Sequence, residues 1–196
     1  MPSAAVIALD LLAHELRNAA NIVVNGAQLL ADDADTDIAS DVERSGRELA
    51  VLIDRLIVAA RSELGAEADS ADSVSVDQLC KLALRRLART HPDMPGQTLT
   101  PGCDDFVVKV HVGAAERAVA DAISLIGGPA GAHVSCHDDA RWIHVSVAGS
   151  TDSVAQGGVP GRLVLLRALA KAAGGKLEQA QSDTITLGFP GTRSSA

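Results

Sequence analysis

The sequence predicts an α+β protein in which an N-terminal helical hairpin, forming a dimeric four-helix bundle, is followed by a two-layer α/β sandwich. Residues 1–64 contain two long runs with apolar side chains at three- and four-residue steps, which is typical of amphipathic helices. After residue 73, helical runs alternate with segments of strand character. A short polar segment separates the two parts.

The first apolar run extends from Ala4 to about Ala31, and the second from Ile38 to about Leu64. The acidic stretch DDADTD separates them, so we expect an antiparallel hairpin. The apolar seam of the two helices is formed by Leu9, Leu12, Leu16, Ala19, Val23 and Leu30, followed by Ile38, Val42, Leu49, Leu52, Leu56 and Ala60.

The apolar face of this hairpin is wider than one partner helix can cover, because Ile22, Leu29, Ile53 and Ile57 extend it. Pairing with a second copy of the chain would bury this surface. The sequence therefore predicts a homodimer.

The segment Gly65 to Ser73 is small, polar and acidic, as linkers are. We therefore assign residues 1–64 to the helical hairpin, 65–73 to the linker and 74–196 to the α/β domain. Ser75 and Gln78 have capping-box spacing and predict that a helix begins there. An extended segment around Phe106, a helix, two strands, another helix and a final hairpin follow.

Composition excludes several classes of protein. A net charge of −8 argues against a nucleic-acid partner, which requires clustered Lys and Arg. The N-terminus lacks a basic n-region and its apolar run is broken by Asp10, His14 and Glu15, so we expect no signal peptide, no membrane span and a cytoplasmic protein.

The three cysteines, Cys80, Cys103 and Cys136, are too widely spaced for a zinc pattern or a disulfide framework, and we expect free buried thiols. Strand alternation would place His133 and His137 on the face opposite Cys136. The sequence therefore predicts no metal site.

A polar stripe runs along the first helix, formed by His14, Asn18, Asn21, Asn25 and Gln28 at steps of four and three. His14 should therefore point outward. An ordinary solvated helix face carrying a histidine would give the same pattern.

The string His14-Glu15-Leu16-Arg17-Asn18 resembles the H-box of histidine kinases, H-E-x-x-[NT], and lies on the first helix of a hairpin as it does in that family. The resemblance implies that His14 carries a phosphoryl group as a phosphoramidate and that Glu15 assists the proton transfer. Asn18 would then hydrogen-bond the phosphoryl group and Arg17 would offset its charge. The proline that the family has five residues after the histidine is Ala19 here.

The segment from Arg162 to Glu178 resembles the last helix and His-Gly-Gly turn of the histidine-kinase ATP-binding domain. Gly174 and Gly175 would end that helix, because residues with positive φ do this best. The fold implied is that of a degenerate ATP-binding domain.

The nucleotide motifs of that family are missing from this chain. Asp121 and Leu125 stand where the family has two asparagines, and leucine cannot ligate magnesium. Ala148, Gly149 and Ser150 follow a strand where the family has an adenine-reading aspartate, and Pro160 and Arg162 interrupt the phosphate loop among Gly157, Gly158 and Gly161. We therefore expect no cofactor to bind.

An H-box hairpin joined to a sandwich without nucleotide motifs resembles the ChpT-like histidine phosphotransferases over nearly the whole chain. This resemblance implies a phosphorelay between response-regulator receiver domains through His14, with Mg²⁺ supplied by the receiver. The receiver would dock around Asn21, Val24 and Asn25. The alternatives are a non-catalytic pseudokinase that binds a signalling partner, and an ATP-dependent kinase whose motifs have diverged.

Overall fold

The computed structural model describes residues 71–90, 98–99, 103–126, 131–139, 141–149, 159–181 and 183–193. It also describes helical residues 15, 16, 18, 19, 21–23, 25, 26, 40–42, 44–46, 49, 51–53, 55, 56 and 60. We call the described residues between 15 and 26 the first helical segment and those between 40 and 60 the second, and the helical character of these described residues agrees with the sequence prediction. The turn of the predicted hairpin lies outside the described residues.

The α/β part contains three helices, seven strands and one 3-10 turn within the described ranges. In chain order they are β1 (Asp72–Ser75), α1 (Val76–Thr90), β2 (Thr98–Leu99), the 3-10 turn (Cys103–Asp105), β3 (Phe106–Val110), α2 (Val112–Ile126), β4 (Ala132–Asp139), β5 (Trp142–Gly149), α3 (Val159–Ala172), β6 (Lys176–Ala180) and β7 (Thr184–Arg193).

Helix α1 begins at the predicted capping box. The backbone N–H of Gln78 donates to Ser75 Oγ over 3.2 Å, so Ser75 is the N-cap. Strand β1 ends at this cap and begins at Asp72, so it includes the last two residues of the predicted linker. It pairs antiparallel with β3, matching Asp72 with Val110 and Ser75 with Val107.

The seven strands form one sheet in the order β1-β3-β7-β5-β4-β2, with β6 also paired to β7. Every strand pairing is antiparallel except that of the two-residue β2 with β4. The ten-residue β7 is a central strand that pairs with three others. It pairs with β5 along one edge, and with β6 and then β3 along the other.

One face of the sheet packs against the three helices, as a two-layer sandwich requires. Along β5 the burial alternates, so that Ile143, Val145 and Val147 are buried and the intervening side chains are only partly covered. The largest fully buried side chains include Phe189 and Leu187 of β7 and Ile123 of α2. The predicted α/β sandwich is confirmed.

Helix α3 ends in a Schellman motif. The N–H of Gly175 donates to Ala170 O over 2.8 Å, the N–H of Gly174 donates to Lys171 O over 2.9 Å, and Gly174 has φ of 82°. This confirms Gly174 as the glycine that ends the helix. Gly175 is needed for a different reason: a Cβ there would lie 2.5 Å from Gly188 O and 2.6 Å from Phe189 Cδ1.

Within the described part of the chain, no helix has both the length and the apolar character needed to span a bilayer.

Candidate functional site

The first helical segment presents a polar face to solvent. Asn18, Asn21 and Asn25 are all exposed, at the spacing that the sequence predicts, and Glu15 is half-buried beside them. His14, Arg17 and Val24, which the sequence analysis also assigns to the site, lie outside the described residues, as does Gln28. The described members of the stripe therefore share one face, and the role of His14 stays a prediction.

The opposite face of the first helical segment is covered. Ala19 is 8% exposed, and Leu16 packs beside a small apolar cluster formed by Leu52 of the second helical segment and Leu165 of α3. Leu52 and Leu165 are 7% and 1% exposed. The α/β part therefore contacts the helical segments close to the H-box-like string.

Asp121 of α2 makes a second contact between the same two parts. Arg55 Nε donates to Asp121 Oδ1 over 2.8 Å, and Arg55 Nη2 lies 2.5 Å from the same oxygen. Arg55 is 5% exposed and Asp121 8%. The position that resembles a magnesium-binding asparagine in histidine kinases is thus occupied by a carboxylate already engaged by the second helical segment.

Two opposing effects act on the pKa of Asp121. Burial raises it, because the charged carboxylate loses its hydration, while the Arg55 guanidinium and, more weakly, Arg162 and Arg86 act to lower it. The pKa lies above its ordinary value because burial is the larger effect. Arg55 is thus the main group that counteracts the effect of burial on this carboxylate.

The second position that resembles a family asparagine carries a leucine, which offers no oxygen to a metal ion. Leu125 is 7% exposed and belongs to the core cluster. At the end of β5, a methyl group on Gly149 would lie 2.5 Å from Ile126 O and 2.6 Å from Ile126 Cγ2. The end of β5 is thus packed directly against the end of α2, and Ala148 brings no carboxylate to it.

The fold brings the three cysteines closer than their spacing in sequence suggests. All three are free; Cys80 and Cys103 are buried as the sequence predicts, whereas Cys136 is half-buried. A thiol hydrogen bond joins Cys103 to Cys136, and burial raises the pKa of all three thiols, that of Cys80 to about 12. Such thiols are poor nucleophiles.

Among the described residues, no group of three or more His, Cys, Asp or Glu side chains is arranged to hold a metal ion.

The sheet face opposite the helices carries a polar cluster that was not predicted from the sequence. His144 Nδ1 is hydrogen-bonded to Glu178 Oε2, and the His144 ring stacks on His137 with ring centroids 4.6 Å apart. Lys176 Nζ lies 2.8 Å from Glu178 Oε1 and 4.1 Å from the centroid of the Trp142 ring. Burial acts to raise the pKa of Glu178, but hydrogen bonds from Lys176 and His144 outweigh it, and the pKa is lowered.

Solved structures of histidine kinases have a similar fold. No family model matches the chain, and no curated protein matches it. Among solved structures, the Acinetobacter baumannii histidine kinase AdeS is 15% identical, with a TM-score of 0.63 and coverage of 90% of this chain and 97% of that one. Histidine kinase ThkA in complex with the response regulator TrrA is 17% identical, with a TM-score of 0.57 and coverage of 92% and 60%. A structure described as a bacterial phosphotransferase is 16% identical, with a TM-score of 0.48 and coverage of 96% and 97%.

Arg55 was not among the residues predicted from the sequence, although one signal was available. Arg55 lies three residues after Leu52, so it falls on the apolar side of a predicted amphipathic helix, where an unpaired charge would be costly. That position implies an acidic partner elsewhere in the fold.

Proposed function

We propose that this chain is a histidine phosphotransferase that relays a phosphoryl group between response-regulator receiver domains through His14. The observation that carries the proposal is the exposed polar face of Asn18, Asn21 and Asn25, which continues from the H-box-like string on a chain with a histidine-kinase-like fold. The structure of ThkA with a response regulator supports receiver domains as the class of partner, since ThkA has the same fold.

In the proposed reaction, a neutral nitrogen of His14 attacks the phosphorus of a receiver aspartyl phosphate. The N–P bond forms as the O–P bond breaks, which releases the aspartate carboxylate and leaves a phosphohistidine. Glu15 accepts the proton lost by the imidazole, Asn18 donates a hydrogen bond to the phosphoryl oxygens, and Arg17 offsets their charge. Transfer to a second receiver reverses these steps.

The receiver docks along the exposed face just beyond His14, at Asn21, Val24 and Asn25, and brings the Mg²⁺ that neutralises the transferring group. We propose that the chain itself binds no nucleotide. Support comes from the ion pair that engages Asp121, the burial of Leu125 in the core and the tight packing of Gly149 against Ile126. These three features would all have to change before a magnesium nucleotide could be held as kinases hold it.

We further propose that the helical segments pair with a second copy of the chain as a four-helix bundle. Ile53 of the second helical segment is 45% exposed and lies on the surface that the sequence predicts to be too wide for one hairpin. Ile22 is 51% exposed, but it falls on the same face as Asn18 and Asn25, so we leave it outside the proposed dimer contact. Sedimentation should therefore give a dimer at micromolar concentration, and Ile53→Glu should weaken it.

The relay is tested by incubating the purified chain with phosphorylated receiver domains from the same genome, after removal of ATP. The wild type should acquire acid-labile phosphate, and His14→Ala should acquire none. Glu15→Gln should slow transfer by about 100-fold, the usual worth of positioned acid–base help. His133→Ala removes another exposed histidine, on β4, and should transfer at the wild-type rate.

Two outcomes would replace the relay with a different function. If no receiver phosphorylates the wild type while one still binds it, the chain is a docking module and His14 is chemically idle. If saturating ATP with Mg²⁺ raises the melting temperature by several degrees, nucleotide binds after all and an ATP-dependent kinase becomes the better description.

A further inference from the structure

The α/β part and the helical segments meet at two separate points on different helices. Helix α2 contributes Asp121, which pairs with Arg55, and helix α3 contributes Leu165, which packs on Leu52. Two attachments on different helices restrict rotation as well as translation. The contact thus defines an orientation between the two parts.

The Arg55–Asp121 pair differs from an ordinary surface ion pair. The two residues are 66 positions apart in sequence, and both side chains are almost fully removed from water. Removing one partner would leave the other charge buried and unpaired in the closed arrangement, so the closed arrangement becomes much less favourable when either side chain is lost. Arg162 and Arg86 add positive potential around the same carboxylate.

The surroundings hold this pair in place. Arg86 Nε donates to Glu116 Oε1 over 2.9 Å, which ties α1 to α2 beside Asp121. A cavity of about 30 Å³, lined in part by Arg55, Thr90 and Asp121, adjoins the pair. A space of this size accommodates one or two water molecules, so the remaining polar atoms can be hydrated without opening the contact.

The orientation set by these contacts leaves the polar face of the first helical segment open. Asn18, Asn21 and Asn25 are exposed with the α/β part in place, while Leu16 on the other side of the same segment packs beside Leu165. An α/β part that was free to swing could cover that face. The face would then be accessible for only part of the time.

We propose that Arg55 and Asp121 are positioning residues that latch the α/β part in the orientation that keeps the receiver-docking face open. This inference rests on the proposed relay. The latch touches no reacting atom, so it acts on the fraction of molecules able to accept a receiver. The apparent dissociation constant equals the intrinsic constant divided by that fraction. A variant that is competent for one fifth of the time needs about five times more receiver for half-saturation, at an unchanged maximal rate.

The test measures initial rates of transfer from a phosphorylated receiver domain over a range of receiver concentrations. Arg55→Met and Asp121→Asn each remove one charge and keep much of the side-chain volume. Both should raise the half-saturating concentration by about fivefold or more and leave the maximal rate within about twofold. A variant that was partly unfolded would instead lose maximal rate in proportion to the inactive fraction, with the half-saturating concentration unchanged.

The matched control is Arg44→Met. Arg44 also pairs with a carboxylate, but its partner Asp41 lies three residues away on the same helical segment, and both side chains are exposed. This variant should leave both kinetic parameters unchanged. The double variant with Arg55→Met and Asp121→Asn should raise the half-saturating concentration by less than the product of the two single effects, because both substitutions break the same contact.

A second measurement reports the orientation without any phosphotransfer. In methyl-labelled full-length protein, the nuclear Overhauser effect between the Leu52 and Leu165 methyl groups should weaken in Arg55→Met and persist in Arg44→Met. If that signal keeps its full intensity in both latch variants, the pair does not fix the orientation. If it weakens while the half-saturating concentration stays the same, the orientation does not govern docking, and the proposal fails. A wild type that accepts no phosphate would refute the relay and the kinetic role of the latch, whereas the methyl signal would still decide its structural role.

Discussion

Replacing Gly175 by alanine should destabilise the protein far more than replacing its neighbour Gly174. A Cβ at Gly175 would lie 2.5 Å from Gly188 O, about 0.9 Å inside the 3.4 Å at which ordinary contact begins. The obstacles are a backbone carbonyl of the central strand β7 and the fully buried ring of Phe189, and neither can move without disturbing the sheet. Overpacking of this kind costs about 3 kcal/mol.

Gly174→Ala is the matched comparison. No atom lies within 4 Å of a Cβ at Gly174, so the only cost is the positive φ of 82°, about 1 kcal/mol for an alanine. With melting temperature falling by about 2–4 °C per kcal/mol in a chain of this size, Gly174→Ala should lower it by about 2–4 °C and Gly175→Ala by about 6–12 °C.

Thermal unfolding followed by circular dichroism at 222 nm would measure both changes. Equal losses, or a larger loss for Gly174→Ala, would show that backbone conformation and not the approach of β7 governs this turn. An unchanged melting temperature for Gly175→Ala would mean that the end of α3 is not packed against β7 as described.

Two further predictions concern the cap and the polar face of the sheet. Ser75→Ala should lower the free energy of unfolding, measured in urea, by about 1 kcal/mol because it removes the acceptor for the Gln78 N–H. Ser73→Ala, on the same strand, should have little effect. Equal effects of the two substitutions would contradict the cap. Glu178→Gln should lower the free energy of unfolding at pH 7. Because the pKa of Glu178 is lowered in the folded protein, its charge stabilises the fold fully above the ordinary glutamate pKa of about 4.5 and loses this effect in acid. The difference in unfolding free energy between wild type and variant should therefore shrink as the pH falls below about 4.5. A deficit that does not change with pH would refute the ion-pair contribution.

Local chemistry explains which features the sequence could predict. The capping box at Ser75 and the helix-ending glycine at Gly174 each depend on residues within a few positions, so their signals survive in a single sequence. The alternation that separates His133 and His137 from Cys136 is local in the same way.

Features that depend on distant partners were missed. Strand β1 has the polar composition of a linker and becomes a strand because β3 offers it a hydrogen-bonding edge. Nothing in the sequence identifies Asp121 as the partner of Arg55, since the two residues come together only when the chain folds. The contact between Cys103 and Cys136 has the same origin, as does that between His144 and Glu178.

The place of β7 in the sheet has a consequence for the order in which the protein can fold. It comes after the six other described strands in the chain, yet it lies between β5 on one edge and β3 and β6 on the other. Until residues 184–193 are available, β3 and β5 each keep an unpaired edge, and the sheet lacks the strand that joins them. Helices can form earlier from local contacts, so collapse of the sheet should be the slow step, with a period of exposure to aggregation before β7 inserts.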